Sequence, residues 1–392
     1  MSRLLLFTLF FTAVFLQAGT YGLTFMLPKL FQTFGANEKV VGQMLFITAI
    51  VTIAAVYFSG HLADRFGRVA TLGYACLLIA LSLFLYGTSE SVGVNLFVAS
   101  ALLGIGWGLT YTLAPVVLTG LIDAEARVRY FALLSVFVMA GFGLSPVLAA
   151  AFEKSGYSVS SAFTFTSVLC VVSALIFFYL ISPVRRLSQS RVELKSKLSL
   201  NAVKQLFSSP TWLPITMVCI GASVFAGMNN FQTVFAEERG LNYWVFFAVY
   251  TVTVVIFRIV LARFKGGNSP YLVIAALQYV MCFSVVFFLL MPNTVPAYML
   301  VAFLFGIGYG VSYPILVAMT ANDADADLLP QALQLFALTY FIGIFGFPLI
   351  AGWVIVDIGT TELLVIVAVM AAIEATMALL RGRSVYKQSR KY

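Results

Sequence analysis

Two ionisable side chains stand inside long apolar runs of this sequence, and they are the first residues to suggest chemistry. Arg258 sits near the end of the run from Phe246 to Phe264, about 9 Å inside it at helical rise. A charge at that depth is costly unless it meets water, a partner or a ligand. Arg258 is therefore a candidate for binding or coupling, against the alternative that its long side chain reaches the nearest interface. Glu374 lies at a similar depth in the last run and either pairs with Arg258 or takes up a proton. Glu237 and Glu238 follow Asn229-Asn230-Phe231-Gln232; they place polar groups where a solute enters or leaves, and Glu237 is the third coupling candidate. Uncharged hydrogen-bonding groups are scattered among aromatics at Gln17, Tyr21, Trp107, Tyr111, Gln278, Tyr309 and Tyr313.

Enzymatic chemistry has weaker support. The spaced carboxylates of Asp323-Ala324-Asp325-Ala326-Asp327 suit a magnesium-bound diphosphate, but they have no second acidic cluster and no nucleophile. His61 has no ligand companion, and Cys76, Cys170, Cys219 and Cys282 all lie in apolar runs without metal-type spacing. No phosphate-cradling glycine loop ending in Lys-Ser/Thr occurs, so ATP is not implied. The expectation is a protein with no catalytic residue, metal or cofactor. No helix pair carries a charge ring or a filter-like backbone, which argues against a channel.

The elements that must position these residues are set by composition. Of 392 residues, 61% are hydrophobic and 10% charged, more apolar surface than one soluble core can hide, so the solvent must be lipid. The net charge of +8 then reads as basic residues sorted to one membrane side, not as nucleic-acid binding. Apolar runs fall near 4–27, 39–62, 69–88, 93–121, 130–152, 158–182, 212–236, 242–264, 270–291, 295–321, 330–356 and 361–381. Each is long enough for a membrane-spanning helix and too continuous for a barrel strand. The first run is too long for a signal-peptide core and is read as retained. An all-α membrane protein of twelve spans is predicted.

Placing the N-terminus in the cytoplasm puts eighteen of the 23 lysines and arginines inside and four outside, with Arg258 within a span. The positive-inside rule then makes both termini cytoplasmic. The stretch 183–211 is a basic cytoplasmic linker in which Glu193 is the only acid. Its 192–198 portion is either a surface-lying amphipathic helix or a solvated tether. It divides the chain into six-helix bundles at 1–182 and 212–392.

The two halves repeat each other. Gly104-Ile105-Gly106-Trp107-Gly108-Leu109-Thr110-Tyr111 matches Gly306-Ile307-Gly308-Tyr309-Gly310-Val311-Ser312-Tyr313 at an offset of 202, and Pro146 matches Pro348 at the same offset. Arg263-Phe264-Lys265-Gly266 is a worn copy of Arg65-Phe66-Gly67-Arg68. Such repeats predict two pseudo-symmetric bundles that face each other across a central cavity and rock about it.

The stretch Gly60-His61-Leu62-Ala63-Asp64-Arg65-Phe66-Gly67-Arg68 reads as a short loop between spans two and three. Gly60 would allow close helix approach. Asp64 would face a helix N-terminus, and Arg65 and Arg68 would reach lipid phosphates or a carboxylate. This stretch resembles the signature loop of the major facilitator superfamily. Three further stretches extend the resemblance over essentially the whole chain. Gly141-Phe142-Gly143-Leu144-Ser145-Pro146-Val147-Leu148-Ala149-Ala150 is similar to the Gly-x-x-x-Gly-Pro-x-x-Gly-Gly motif of the exporter branch, with Ser145, Ala149 and Ala150 in place of glycines. The turn holding Glu125 and Arg127 looks like the family's acidic-then-Arg turn. The Phe-Phe-x-x-Tyr run before Arg258 resembles helix eight of bacterial exporters, metallophore exporters among them. The chain departs from the branch at Ser100, where exporters often carry a buried arginine.

The resemblance implies a secondary transporter working by alternating access: proton-coupled efflux of drugs, siderophores or related metabolites, with import or facilitated entry of a nutrient as the alternative. It implies a cytoplasmic latch in which Arg127 or Arg129 pairs with Asp64 or Glu125. It also implies a solute cavity lined by spans one, four, seven and ten, hence by Gln17, Tyr21, Trp107, Tyr111, Asn229, Asn230, Tyr309 and Tyr313, with Arg258 added. So aromatic a lining suits a neutral, amphipathic or zwitterionic organic solute. The expected partners are that solute, protons and the lipid bilayer, with no nucleic acid, and the expected setting is a monomer in a bacterial cytoplasmic membrane.

Overall fold

The computed structural model describes residues 2–123, 127–187, 199–261 and 270–389. Among them the regular structure is helical, as a lipid-embedded backbone that must satisfy its own hydrogen bonds requires. Twelve helices are long and apolar enough to cross a bilayer. Spans one to six are Arg3–Gln32, Glu38–Phe66, Arg68–Thr88, Val94–Thr119, Arg129–Lys154 and Val159–Leu187. Spans seven to twelve are Trp212–Asn230, Tyr243–Val260, Pro270–Leu290, Val295–Asp323, Leu329–Asp357 and Thr360–Ser384. The chain divides into two compact units, Met1–Leu194 and Lys195–Tyr392.

Three spans are interrupted, two of them next to proline. Span one passes through a 3₁₀ turn at Leu23–Met26 and resumes at Leu27, because Pro28 lacks the N–H that would continue the ladder. Thr20 and Thr24 cover the loosened carbonyls of Gln17 and Tyr21 at 2.5 and 2.7 Å. Span eleven widens into a π turn at Ile342–Gly346 ahead of Pro348. After span seven, Phe231 leaves helical geometry (φ −113°) and the chain restarts as Gln232–Glu238.

The loop expected at 60–71 is shorter than its composition suggests. Span two runs on to Phe66, Gly67 turns alone at φ +89°, and span three begins at Arg68. A left-handed residue of this kind favours glycine. Gly60, His61, Asp64 and Arg65 therefore belong to the last turns of a helix. The close approach expected at Gly60 is not made, since a Cβ there would meet nothing within 4 Å. The sixth span continues to Leu187. Within the linker, Ser199 caps a short helix, Leu200–Ser208, that buries Ala202 and Leu206. The helix considered at 192–198 and the worn copy at 263–266 lie outside the described residues.

The sequence repeat is also a packing repeat. A Cβ on Gly104 would lie 2.7 Å from the Thr48 carbonyl and 3.1 Å from Val51, and one on Gly306 would meet Tyr250 and Thr253, the residues 202 further on. Gly106 packs on Ala75 and Ile79, and Gly308 on Leu277 and Met281. Gly108 faces Thr52 and Gly310 faces Val254. Ser82 Oγ donates to the Ala99 carbonyl at 2.7 Å, and Ser284 Oγ to the Val301 carbonyl at 2.9 Å. Glycine recurs because backbones in lipid gain by close van der Waals approach, not by hiding from water.

Candidate functional site

In the first unit the candidates on spans one, four and five converge. Tyr21 stacks on Trp107 with centroids 5.0 Å apart and planes at 21°, and Phe142 closes the group at 4.6 Å from Tyr21 and 5.4 Å from Trp107. One turn away, Gln17 Nε2 donates to Thr110 Oγ1 at 2.9 Å, and that hydroxyl is also bonded to the Gly106 carbonyl at 3.0 Å. Gln17 and Trp107 are buried and Tyr111 is half-buried. The indole N–H of Trp107 is buried without a hydrogen-bond partner among the described residues, so the aromatic group retains a donor.

Glycines allow this convergence. Gly22 packs against the Phe142 carbonyl, while a Cβ on Gly141 would lie 2.6 Å from the Phe15 carbonyl and 2.9 Å from Gly19 N. Ser145, where the exporter motif has glycine, turns its Oγ back to the Gly141 carbonyl at 3.1 Å. Pro146 follows within an unbroken helix. Ser100, in place of the arginine of many exporters, accepts from Tyr86 Oη at 2.7 Å and donates to the Leu96 carbonyl at 2.8 Å.

The second unit repeats the stack with different chemistry. Phe225 lies on Tyr309 at 4.5 Å and 22°, the counterpart of Tyr21 on Trp107. Tyr313 packs on Phe336 and Tyr340 at 5.8 and 5.2 Å. Arg258 is 6% exposed. Its Nε donates to the Gly310 carbonyl at 2.9 Å. It stays inside the bundle and does not reach for an interface. Phe142, Phe225 and Tyr340 were not singled out from the sequence as site residues, and Tyr250 entered only as the end of the Phe-Phe-x-x-Tyr run. The offset of 202 carries Tyr21 to Ser223, whereas Phe225, 204 residues on, is the one that packs in span seven as Tyr21 does in span one.

Asn229 and Asn230 are 0% and 1% exposed. Their amide nitrogens donate back to the Phe225 and Ala226 carbonyls at 2.9 and 3.1 Å. Their side-chain oxygens, with Oε1 of Gln232, are buried without partners among the described residues. These are acceptors awaiting donors just where span seven breaks.

Glu374 does not pair with Arg258. Its carboxylate accepts from Gln278 Nε2 of span nine, because the face of span twelve that carries it turns toward spans seven and nine. Glu237 is exposed, and the neighbouring Glu238 accepts from Thr360 Oγ1 at 2.6 Å.

Of the latch residues, Asp64, Arg65 and Arg129 are exposed and Arg68 is half-buried. The Arg65 guanidinium lies 5.6 Å from the Phe66 ring centroid. Glu125 and the Arg127 side chain lie outside the described residues. At the same end of the unit Arg3 reaches Asp123 at 3.8 Å and the Leu121 carbonyl at 3.2 Å.

The acidic run does not gather into a chelate. Asp323 is held by Tyr271 Oη at 2.5 Å, while Asp325 and Asp327 are exposed. Among the described residues no group of three or more His, Cys, Asp or Glu stands within metal-holding reach.

Comparison with known proteins adds the lineage. A "Probable 4-methylmuconolactone transporter" of Cupriavidus pinatubonensis is 30% identical over 126 residues, 32% of this chain. An "MFS-type transporter clz4" of Cochliobolus lunatus is 26% identical over 160 residues, 41% of this chain. Each match spans 28% of the relative's own length. The crystal structure of the POT family transporter PepTSo superposes with a TM-score of 0.74 over 98% of both chains at 13% identity, a likeness of fold alone. The pattern of the Major Facilitator Superfamily matches residues 9–348, from span one into span eleven. Twelve spans in two internally repeating units, with that pattern running through them, make this an integral multi-pass membrane protein that belongs to the Major Facilitator Superfamily.

Proposed function

We propose that the protein moves a small organic solute across the membrane by alternating access, coupled to protons, in the direction of efflux. In this reading both termini are cytoplasmic, the membrane is a bacterial inner membrane, and the working unit is a monomer. The observation that carries it is the pair of matching aromatic stacks, Tyr21 on Trp107 and Phe225 on Tyr309. Each is placed beside buried polar groups, Gln17 in one unit and Asn229 with Asn230 in the other. Ring faces take up apolar or conjugated surface, the carboxamide oxygens accept hydroxyl or amine donors, and Arg258 takes a polar or anionic end. The solute is therefore drug- or metallophore-like in its mixture of apolar and polar faces. A relative named for a lactone agrees with a small organic cargo.

Import or facilitated entry of a nutrient is the second reading. It is favoured by Ser145, Ala149 and Ala150 standing where the exporter motif has glycine, and by Ser100 being committed to Tyr86. The test is purified protein reconstituted in liposomes that enclose a pH-sensitive dye and are screened with small organic solutes. Efflux coupling predicts a solute-dependent change of internal pH. Solute counterflow without any pH change would leave a facilitator, and absence of counterflow for every solute would end the transport reading.

A further inference from the structure

Inside the second unit, spans seven, nine and twelve meet at Gly221, Gln278 and Glu374. Both Glu374 and Gln278 are 1% exposed. Gln278 Nε2 donates to Glu374 Oε1. A Cβ on Gly221 would lie 2.7 Å from Glu374 Oε1 and 2.9 Å from Oε2, so the carboxyl group lies against the backbone of span seven where only glycine admits it. Glu374 Oε2 and Gln278 Oε1 are both buried with no hydrogen-bond partner among the described residues.

An ionised carboxylate and an amide carbonyl are both acceptors only. The seam as an anion thus holds two unmet acceptors, the neutral amide oxygen of Gln278 and the charged Oε2 of Glu374, and the charged one is the costlier to leave unmet. A single proton resolves both. With a hydrogen on Oε2, the acid donates to Gln278 Oε1 while the amide donates to Oε1, and the two planar forks close a two-bond ring. Other ionisable groups nearby do not do this. Cys219 of span seven is within electrostatic reach of Glu374. On span nine, Cys282 Sγ is turned to the Ala368 carbonyl at 3.5 Å and Tyr279 Oη to Thr376 at 3.2 Å. Span eleven approaches through Gly343, packed on the Cys219 carbonyl.

We propose that Glu374 is the proton-binding site of the transport cycle, a carboxyl inside one bundle that acts on the solute site through span seven. Protonated, it closes with Gln278 and lets span seven seat on it. When the proton leaves for water, an anion with one donor remains in a packed seam, and the state in which the seam opens to water becomes the favoured one. The proton enters from water on one side, resides on Oε2 and leaves to water on the other, and no electrons move. Gly221 and the residues with partnerless oxygens, Asn229 and Asn230, share one helix, about 12–14 Å apart along it at helical rise, so a shift of span seven is felt at the solute. This rests on the proton-coupled reading above.

The test uses the full chain in phosphatidylethanolamine and phosphatidylglycerol vesicles enclosing a pH-sensitive dye. Glu374→Gln preserves an amide–amide ring with Gln278 and fits beside Gly221. Solutes that score in the screen should still exchange, while the internal pH response drops to that of protein-free vesicles. Gln278→Leu, a change in a positioning residue, should move the pH of the half-maximal response. Infrared difference spectra across a pH jump, which need no solute, should contain the carbonyl stretch of a buried protonated acid in the wild type and lack it in Glu374→Gln. A wild-type pH response in Glu374→Gln, or an unchanged infrared band, overturns the proposal. If the wild type moves solute without moving protons, the coupling reading itself fails and the role of Glu374 falls with it, whatever the infrared band shows.

Discussion

Replacing Gly141 with alanine should force spans one and five apart. The added methyl would lie 2.6 Å from the Phe15 carbonyl and 2.9 Å from Gly19 N. Both obstacles are backbone, so neither can swing aside as a side chain would. Restoring ordinary contact near 3.4 Å takes a shift of about 0.8 Å, in a seam where Ser145 Oγ already fills the space beside Gly19. Overpacking with no yielding partner falls toward the upper end of its range, about 3 kcal/mol. Alanine recovers about 1 kcal/mol over glycine in a helix interior, so the net loss is about 2 kcal/mol. At Gly60, inside span two with nothing within 4 Å of a Cβ, only the propensity gain of about 1 kcal/mol remains.

The same substitution thus has opposite signs at two glycines of one unit. For a unit of this size, Met1–Leu194, the midpoint shifts by about 2–4 °C per kcal/mol. Gly141→Ala should lower the melting temperature by about 4–8 °C and Gly60→Ala should raise it by about 2–4 °C. The assay is heating in detergent with alkylation of the buried thiols of Cys76 and Cys170 followed by peptide mass spectrometry, which reports on the first unit directly. A Gly141→Ala protein as stable as wild type, or a Gly60→Ala protein clearly less stable, would refute the close-approach reasoning.

Ser82→Ala and Ser284→Ala each remove one hydroxyl-to-carbonyl bond at matched places in the two units; each should cost about 1 kcal/mol, and thermal melts that separate the two would deny that the packing repeat is energetic. Arg258→Met removes a charged donor from the Gly310 carbonyl, so solute exchange should weaken roughly tenfold to a hundredfold, with Arg258→Lys intermediate; counterflow reads the difference. The Arg239 guanidinium sits 4.4 Å from the Phe288 ring centroid, where burial holds it below its ordinary range and Glu238 draws it back. Arg239→Ala should lose about 1 kcal/mol, seen as earlier alkylation of Cys219 and Cys282 on heating.

Much of the fold was legible because lipid imposes long uninterrupted apolar runs, and the twelve runs read from the sequence correspond to the twelve spans. Their ends were less legible. Span two extends to Phe66 because charged residues are tolerated in a helix that has left the hydrocarbon, and hydropathy stops reporting before helicity does. The candidate site was legible in part. Tyr21, Trp107 and Tyr309 were singled out, whereas Phe142 and Phe225, which complete the two stacks, look in sequence like any other phenylalanine among 37. The pairing considered for Arg258 and Glu374 failed because depth along two helices says nothing about which faces they present.

By itself, the sequence determined that this chain lives in lipid, how many times it crosses and that its halves descend from one pattern, since these follow from the length of apolar runs and from self-similarity at a fixed offset. Only the tertiary structure decided which polar groups meet. It paired Gln17 with Thr110, Arg258 with the Gly310 carbonyl and Glu374 with Gln278. Those partners lie 52 to 96 residues apart. The rotation of each helix about its axis is set by glycine contacts summed over a whole seam, and no local stretch of sequence contains that sum.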